Sequence, residues 1–209
     1  MRRIVSAAIA LVMLAAMVYS GARLWALDEE LKAEQSLHTE LLRHKPAPAP
    51  GEGGPSLAAL RAQNPDIVGW ITVPFTNIDY PIVQAKDNDY YLRRDLNREP
   101  AKPGTIFMDC RCAGDGSGYS IIYGHNMKSG AMFGTLKRFE DKAFFDTHPG
   151  GRILFEDGWH TIEFYDFLTV RENDSEIYSI PQDSERIVVL STCSYAFQGA
   201  RMALLGKVI

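Results

Sequence analysis

The feature that most constrains this chain is an uncharged apolar run near its N-terminus. From Ile4 to Ala22 there is no charged residue, and these 19 residues would form a helix of about 28 Å. A hydrocarbon core is about 30 Å thick, so the run is just long enough to cross a bilayer. Arg2 and Arg3 precede it, and positive charge there favours an N-terminus that stays in the cytoplasm. We therefore expect a single-pass membrane anchor over residues 1–27, with the rest of the chain outside the cell.

A cleaved signal peptide is the alternative for this segment. Val18, Tyr19 and Ser20 before Gly21 loosely fit a small-residue cleavage site. The apolar region of a signal peptide usually spans roughly 7 to 15 residues, and this run is longer. The length of the run thus favours an anchor that is kept.

The segment after the anchor changes character twice. Leucines and Trp25 punctuate a charged stretch that ends near His44, a pattern typical of a helix leaving the membrane. Lys45 to Pro55 reads KPAPAPGEGGP, which is incompatible with a helix and predicts a semi-stiff spacer. We expect a helical stalk and a Pro/Gly linker over residues 28–55, and a folded domain over residues 56–209.

The composition is that of a globular protein. Hydrophobic residues make up 46% and charged residues 23% of the chain, which excludes a wholly disordered, collagen-like or multi-spanning protein. The net charge of -4 lacks the basic footprint of a nucleic-acid binder, so we expect no nucleic-acid partner. Three cysteines are too few for a disulfide scaffold and lack the spacing of a four-ligand zinc site.

Beyond Ser56 the sequence consists of short runs rich in β-branched and aromatic residues, separated by Gly, Pro, Asn and Asp. Eight runs predict strands: Val68 to Val73, Ile78 to Val83, Thr105 to Asp109, Ser120 to Tyr123, Arg152 to Phe155, Thr161 to Arg171, Arg186 to Thr192 and Met202 to Val208. Asp157 and Gly158 lie where a hairpin turn is needed. Short helices are predicted at Ser56 to Gln63, Asn88 to Leu92 and Met132 to Phe139. We expect a mainly β fold, a closed or nearly closed eight-stranded β-barrel with short helices.

The search for catalytic residues begins with histidine, because a nucleophilic cysteine needs a base and a group that stabilises an oxyanion. Four of the five histidines have ordinary surroundings: His38 and His44 lie in the stalk, His148 precedes a proline and His160 follows the hairpin turn. His125 ends the run SIIYGH, where a strand gives way to a polar segment. Strand ends and loops are common positions of catalytic side chains, so His125 is the candidate base.

The candidate nucleophile is Cys193, at the exit of the buried-strand pattern RIVVLST. An inert core thiol is the alternative, because free cysteine is among the most buried residue types. Arg201 opens the next apolar run after a seven-residue loop. Neighbouring strands lie about 4.8 Å apart, so its guanidinium can stand beside the thiol and bind an oxyanion. A surface cation at a loop exit is the alternative for Arg201.

These residues lie in motifs that resemble the sortases, and class B in particular. The family signature TLXTC reads Val189-Leu190-Ser191-Thr192-Cys193, with valine in place of the usual first threonine. The segment YGHNMKSGAMFGTLKRFEDKAFF, Tyr123 to Phe145, is similar to the class B catalytic-histidine segment. GWITVPFTNIDYPIVQAKDNDYYL, Gly69 to Leu92, also resembles the class. The order His, Cys, Arg argues against papain-like proteases, in which the cysteine precedes the histidine.

The resemblance implies an extracellular cysteine transpeptidase of a Gram-positive cell that uses no cofactor and no metal. The family cleaves a C-terminal sorting signal of a secreted protein after threonine and forms a thioacyl enzyme. It then transfers the acyl group to an amine of a peptidoglycan precursor or of a pilin. By this resemblance Cys193 is the nucleophile, His125 the acid and later the base, and Arg201 the oxyanion-binding group. The positions that match the family's peptide groove are Asn88, Leu92, Tyr123 and Ser191.

One departure from class B lies in the loop before the strand of Cys193. Class B members usually carry a long helical insertion there, yet only the 14 residues Glu172 to Glu185 are present. Tyr178 and Ile180 are expected either to replace part of the missing groove wall or to act as apolar loop anchors.

Other functions stay open at this point. A class B-like pilin polymerase, or a hydrolytic peptidase in which water resolves the thioacyl enzyme, would use the same residues. A catalytically silent binding module would require the three-residue match to be accidental. Cys110 and Cys112 are expected to be loop thiols or a strained local disulfide outside the cell.

Overall fold

The computed structural model describes residues 2–46, 56–181, 185–194 and 196–209. By its internal contacts the chain divides into one unit that ends at Thr39 and a second that runs from Glu40 to Ile209. Helix α1 spans Arg2–Arg43 and supplies the first unit. Its segment Val5–Glu29 is long and apolar enough to cross a membrane, with a mean hydropathy of 2.0. Most of the predicted spacer, from residue 47 to residue 55, lies outside the described residues.

The second unit is built on a closed barrel of eight strands, which confirms the predicted fold class. The strands are β1 Ile67–Thr72, β2 Asp79–Val83, β3 Phe107–Met108, β4 Tyr119–Tyr123, β5 Gly150–Phe155, β6 Gly158–Arg171, β7 Ile187–Cys193 and β8 Ala200–Val208. Their order around the barrel is β1-β2-β3-β4-β7-β8-β6-β5, and β5 closes the barrel against β1. The pairs β2 with β3 and β4 with β7 are parallel, and the other pairs are antiparallel.

The barrel interior is an aliphatic and aromatic core. In β7, three consecutive residues, Val188, Val189 and Leu190, have no exposed surface. This matches the continuous apolar run that the sequence shows there, since a strand flanked by partners and buried on both faces has no polar side. A second, smaller cluster forms where Leu60 of helix α2, Leu57–Gln63, packs with Trp70 of β1.

Two predicted helices differ from the structure in position. The helix predicted at Asn88 to Leu92 is a 3-10 helix at Tyr90–Arg93, because the Asp87 carboxylate accepts the amide hydrogens of Asp89 and Tyr90 and forms a turn first. The helix predicted from Met132 is a 3-10 helix at Leu136–Glu140. Met132 has a φ of 52° and bridges to Asn126, which is incompatible with helical geometry.

Two short helices were not predicted, α3 at Lys142–Thr147 and α4 at Ser175–Tyr178. Each begins after an aspartate whose side chain accepts a hydrogen bond from the first turn: Asp141 from Ala143, and Asp174 from Glu176. Such N-caps are detectable in sequence, but elements of this length lack enough apolar periodicity to stand out.

The predicted strand boundaries differ from the observed ones by up to three residues, and two of these differences have a clear physical reason. The strand predicted at Thr105 to Asp109 is only Phe107–Met108, because the Thr105 amide donates to the Tyr91 carbonyl of the 3-10 helix instead of joining the sheet. The hairpin turn between β5 and β6 consists of Glu156 and Asp157, not Asp157 and Gly158. Gly158 opens β6 with a φ of 117°, a conformation that glycine adopts readily.

The residues that follow Thr39 belong to the second unit and contact the barrel within it. Leu41 packs against the main core, and Lys45 Nζ lies 2.7 Å from Asp79 Oδ2. The same carboxylate accepts hydrogen bonds from Trp70 Nε1 at 2.7 Å and Thr72 Oγ1 at 2.9 Å. Leu41 and Lys45, which fall in the predicted stalk and linker, therefore pack against the barrel.

Candidate active site

The register of three neighbouring strands brings His125, Cys193 and Arg201 to one end of the barrel. β4 and β7 are parallel, with Tyr123 opposite Ser191, so His125 and Cys193 both come two residues beyond the same pair. β8 runs antiparallel to β7 and places Arg201 directly opposite Cys193. Three residues distant in sequence therefore line one pocket, because the strands that carry or precede them are adjacent.

Arg201 contacts the candidate nucleophile directly. Its Nη1 donates to Cys193 Sγ across 2.9 Å, and both side chains are half-buried. The second terminal nitrogen, Nη2, lies 3.4 Å from Glu172 Oε2. A guanidinium at this distance stabilises negative charge on the sulfur and on an oxygen that forms beside it.

His125 is held by contacts on two sides. Its Nε2 lies 2.8 Å from the carbonyl oxygen of Leu92, and its own carbonyl accepts from the Phe133 amide at 3.0 Å. The next residue, Asn126, donates from Nδ2 to the carbonyl oxygen of Cys193 at 2.8 Å. The segment that carries the histidine is therefore tied directly to the strand end that carries the thiol.

All seven site residues predicted from the sequence line one pocket of about 360 Å³. These are the candidate catalytic residues His125, Cys193 and Arg201 and the candidate peptide-binding residues Asn88, Leu92, Tyr123 and Ser191. Five further lining residues were not predicted for the pocket by motif, namely Asp89, Phe107, Gly124, Glu172 and Tyr178. The pocket thus combines aromatic walls with one guanidinium and two carboxylates.

Polar groups of the candidate peptide-binding residues already have protein partners. Asn88 Oδ1 accepts a hydrogen bond from the Cys110 amide at 2.8 Å. Ser191 is fully buried, and its hydroxyl lies 2.9 Å from that of Tyr178. These bonds fix the side chains before any substrate arrives, which lowers the entropy lost on binding.

A buried carboxylate lies behind the pocket. Asp109 has no exposed surface and accepts two hydrogen bonds from the Arg111 guanidinium, at 2.9 and 2.8 Å. Tyr123 donates its hydroxyl to the same carboxylate at 3.1 Å. Burial alone would raise the pKa of Asp109, but the hydrogen bonds from Arg111 outweigh it and hold that pKa below its usual value. Sequence motifs did not indicate this residue.

The two tyrosines of the pocket stay neutral at physiological pH. Burial raises the pKa of Tyr123, and the neighbouring Asp109 charge raises it further. Burial likewise raises the pKa of Tyr178, against a smaller opposite effect of its hydrogen bond with Ser191. The rings are nearly parallel, at 19°, with centroids 6.5 Å apart. Both residues therefore present apolar rings whose hydroxyls are engaged by the protein.

The short loop before β7 supplies one wall through helix α4. Ile177 is buried, and its carbonyl accepts the Tyr119 hydroxyl at 2.9 Å, which fastens the helix to the barrel. Tyr178 consequently lines the pocket. Ile180 packs against the main core instead. Of the two residues considered for the wall, one lines it and the other is an apolar anchor.

The remaining cysteines are free thiols, so the disulfide considered for Cys110 and Cys112 is not present. Cys112 is buried, and its Sγ accepts the Ile121 amide at 3.3 Å. Burial raises the pKa of Cys112 to about 11, which makes it a poor nucleophile at neutral pH. Among the described residues, no three His, Cys, Asp or Glu side chains are grouped so as to hold a metal ion.

Comparison with known proteins agrees with the fold. Residues 71–207 match the family model of the Sortase domain, so the chain belongs to the sortase family. Sortase B of Listeria monocytogenes is 35% identical over 189 residues, which is 76% of each chain. This similarity identifies the protein as a class B-type sortase, a cysteine transpeptidase.

Solved structures show the same relationship. Sortase B of Clostridium perfringens is 30% identical with a TM-score of 0.66, covering 74% of this chain and 100% of that one. A class B sortase of Streptococcus pyogenes involved in pilus biogenesis is 28% identical with a TM-score of 0.64, covering 73% of this chain and 97% of that one.

The Asp109 carboxylate yields a first prediction. Asp109→Asn should lower the free energy of unfolding at neutral pH by about 1–3 kcal/mol, because a buried ionic hydrogen-bond network loses its charge. Since the folded pKa of Asp109 lies below the unfolded value of about 3.9, the wild-type advantage is complete above that pH. It should shrink as the pH falls through the lower folded value.

Denaturant unfolding of both proteins at a series of pH values measures this difference. Asp146→Asn, which removes an exposed carboxylate paired only with Lys142, is the matched control and should change stability by less than about 0.5 kcal/mol. A difference between wild type and Asp109→Asn that grows as the pH falls would contradict the account.

Proposed function

We propose that this protein is a membrane-anchored extracellular transpeptidase that cleaves a C-terminal sorting signal after threonine. The acyl group is then transferred to an amine of the cell wall. The observation that carries the proposal is the contact between Arg201 Nη1 and Cys193 Sγ in a pocket that His125 also lines. An arginine whose only role was to solvate the surface would not be expected to point its guanidinium at a half-buried thiol, as Arg201 does.

The first half of the reaction begins at Cys193. The thiolate attacks the carbonyl carbon of the scissile peptide bond, and the carbonyl oxygen becomes an oxyanion. Arg201 binds this oxyanion, and electrostatic stabilisation of that kind is usually the largest single contribution to catalysis. When the tetrahedral intermediate collapses, the carbon–nitrogen bond breaks and protonated His125 gives a proton to the departing amine. A thioester on Cys193 remains.

The second half reverses these roles. An incoming amine attacks the thioester carbonyl, neutral His125 takes its proton, and Arg201 again binds the oxyanion. Collapse breaks the carbon–sulfur bond and completes the new amide, and the bonding electrons return to sulfur, which restores the Cys193 thiolate beside protonated His125. His125 therefore loses one proton in the first half and regains one in the second, so its protonation state is the same at the start and the end of the cycle.

The contact between His125 and Leu92 assigns the two ring nitrogens. A carbonyl oxygen can only accept a hydrogen bond, so Nε2 carries a proton in this arrangement. Nδ1 is then the nitrogen that gains and loses the catalytic proton. The backbone carbonyl of Leu92 fixes the tautomer in the way that a carboxylate does in other catalytic groups.

Asn88, Leu92, Tyr123 and Ser191 are proposed to bind the sorting signal. Leu92 and Tyr123 offer apolar surface in the pocket, and Phe107 lies beside the Tyr123 ring with centroids 5.3 Å apart. Small-molecule and peptide sites are typically apolar pockets with few polar groups at fixed positions. The wall made by Tyr178 replaces the longer insertion of other class B members.

The anchor and the orientation are part of the proposal. Residues 1–27 would cross the membrane with the N-terminus in the cytoplasm, as Arg2 and Arg3 favour, and residues 28–55 would form the stalk and linker. Residues 56–209 would then be the extracellular catalytic domain of a Gram-positive cell. Partners would be secreted proteins with a sorting signal and a peptidoglycan precursor.

Polymerisation of pilins is the second candidate function. It is favoured by the likeness to the Streptococcus pyogenes class B sortase involved in pilus biogenesis. The same residues would act, with a pilin lysine as the amine. Hydrolysis by water is distinguished from both by measuring whether product formation depends on added amine.

Cys193→Ala should abolish cleavage of a quenched sorting-signal peptide, because Cys193 is the one cysteine among the described residues that lines the pocket. The barrel should stay folded, with a melting temperature within a few degrees of wild type, since only one small, half-buried atom is lost. Cys110→Ala is the control: it removes a free thiol that does not line the pocket and leaves the backbone amide that bonds to Asn88, so it should retain activity. Turnover by the Cys193→Ala protein would eliminate the nucleophile assignment.

Arg201→Lys should lower kcat by about 10²- to 10³-fold, the usual cost of one preorganised oxyanion donor. Lysine keeps the charge but lacks the planar fork that reaches two partners at once. Arg171→Lys, one strand away and outside the pocket lining, is the matched control and should behave as wild type. Steady-state kinetics decide the matter: a kcat within about threefold of wild type removes Arg201 from the catalytic set.

A further inference from the structure

The guanidinium of Arg201 lies between the Cys193 thiol and the Glu172 carboxylate. Nη1 donates to the Cys193 thiol at 2.9 Å, while Nη2 faces the Glu172 carboxylate at 3.4 Å. Glu172 also lines the pocket, although its side chain is 60% exposed. No motif indicated this glutamate, and the reaction described above does not use it.

The strands on both sides of β8 supply these two partners. On one side β7 places Cys193 opposite Arg201, and on the other β6 places Val170 opposite Arg201. Glu172 follows two residues after Val170, and its amide donates to the Gly199 carbonyl at 2.9 Å. That bond continues the pairing of the two strands past Arg171. The backbone of Glu172 is therefore fixed relative to Arg201, so the contact between their side chains is built into the sheet.

We propose that Glu172 is a positioning residue for the transpeptidation reaction, a role that rests on the proposed function of Arg201. The glutamate holds the long arginine side chain in the one orientation in which Nη1 meets the sulfur. Arginine loses considerable rotamer freedom when it is fixed, and a charged partner on the second nitrogen offsets part of that cost. Glu172 touches neither the sulfur nor the bond that breaks.

The exposure of the Glu172–Arg201 ion pair predicts which properties of the enzyme change when Glu172 is replaced. An exposed ion pair contributes little to folding, so replacing Glu172 should leave the melting temperature unchanged. Fewer molecules would hold the guanidinium at the sulfur, so the loss should fall on kcat and not on the KM for peptide. Because exposed charges are screened by salt, the wild-type kcat should also fall as ionic strength rises.

The test compares Glu172→Gln and Glu172→Asp with the matched control Glu176→Gln, which removes an exposed carboxylate from the same loop but outside the pocket lining. Glu172→Gln should lower kcat by about three- to fivefold, as expected from the weak coupling of exposed ion pairs. Salt should not lower its kcat further. Glu172→Asp should retain a higher kcat than Glu172→Gln, and Glu176→Gln should match wild type.

A double-mutant cycle with Arg201→Lys separates positioning from a direct role. Single-turnover acylation rates stay measurable in slow variants, and adding Glu172→Gln to Arg201→Lys should cause no further loss. An equal loss in both backgrounds, a wild-type kcat in Glu172→Gln, or a rise only in the KM for the amine would overturn the proposal. Failure of the proposed function is a separate result, namely wild-type turnover by Arg201→Lys alone.

Discussion

The site depends on the register in which β7 pairs with β4 and β8. The parallel pair of Tyr123 with Ser191 sets how far the histidine segment and the cysteine extend beyond the sheet, and the antiparallel pair sets Arg201 against the thiol. A slip of one residue would turn the Cys193 side chain to the opposite face of the strand. The fully buried residues of β7 oppose such a slip, because it would also move Val188, Val189 and Leu190 out of their packed positions.

Two arginine–carboxylate pairs surround the pocket, and their burial gives them different tasks. Asp109 with Arg111 lies behind Tyr123, where the carboxylate has no exposed surface and the geometry is bidentate. Such a pair is costly to break and fixes the ring that forms the pocket wall. The second pair, Glu172 with Arg201, is weaker, because its nearest atoms are 3.4 Å apart and its side chains are 60% and 32% exposed. The buried pair therefore keeps a pocket wall rigid, whereas the exposed pair places charge at the pocket.

Much of this arrangement could be predicted from sequence, because it depends on local pattern. Eight β-type runs gave the closed barrel, and the short loop between Cys193 and Arg201 was enough to place the two side by side. The contacts of Asp109 and Glu172 with pocket residues could not be predicted in the same way. Asp109 is 14 residues from Tyr123 and Glu172 is 29 residues from Arg201, and nothing in the local sequence marks either contact. Helix α4 is too short to show an apolar period, and its place against the barrel depends on the contact of Ile177 with Tyr119, 58 residues away. Contacts of this range are set by the barrel as a whole.

If Cys193 is the nucleophile, a thioester forms on its sulfur, and intact-protein mass spectrometry detects it. The protein is mixed with a sorting-signal peptide in the absence of added amine and quenched at short times. We expect a mass increase equal to the peptide fragment before the scissile bond, located on Cys193 by fragmentation and lost when an amine is added. Peptide cleavage without an adduct, or an adduct located on Cys110, would contradict this expectation.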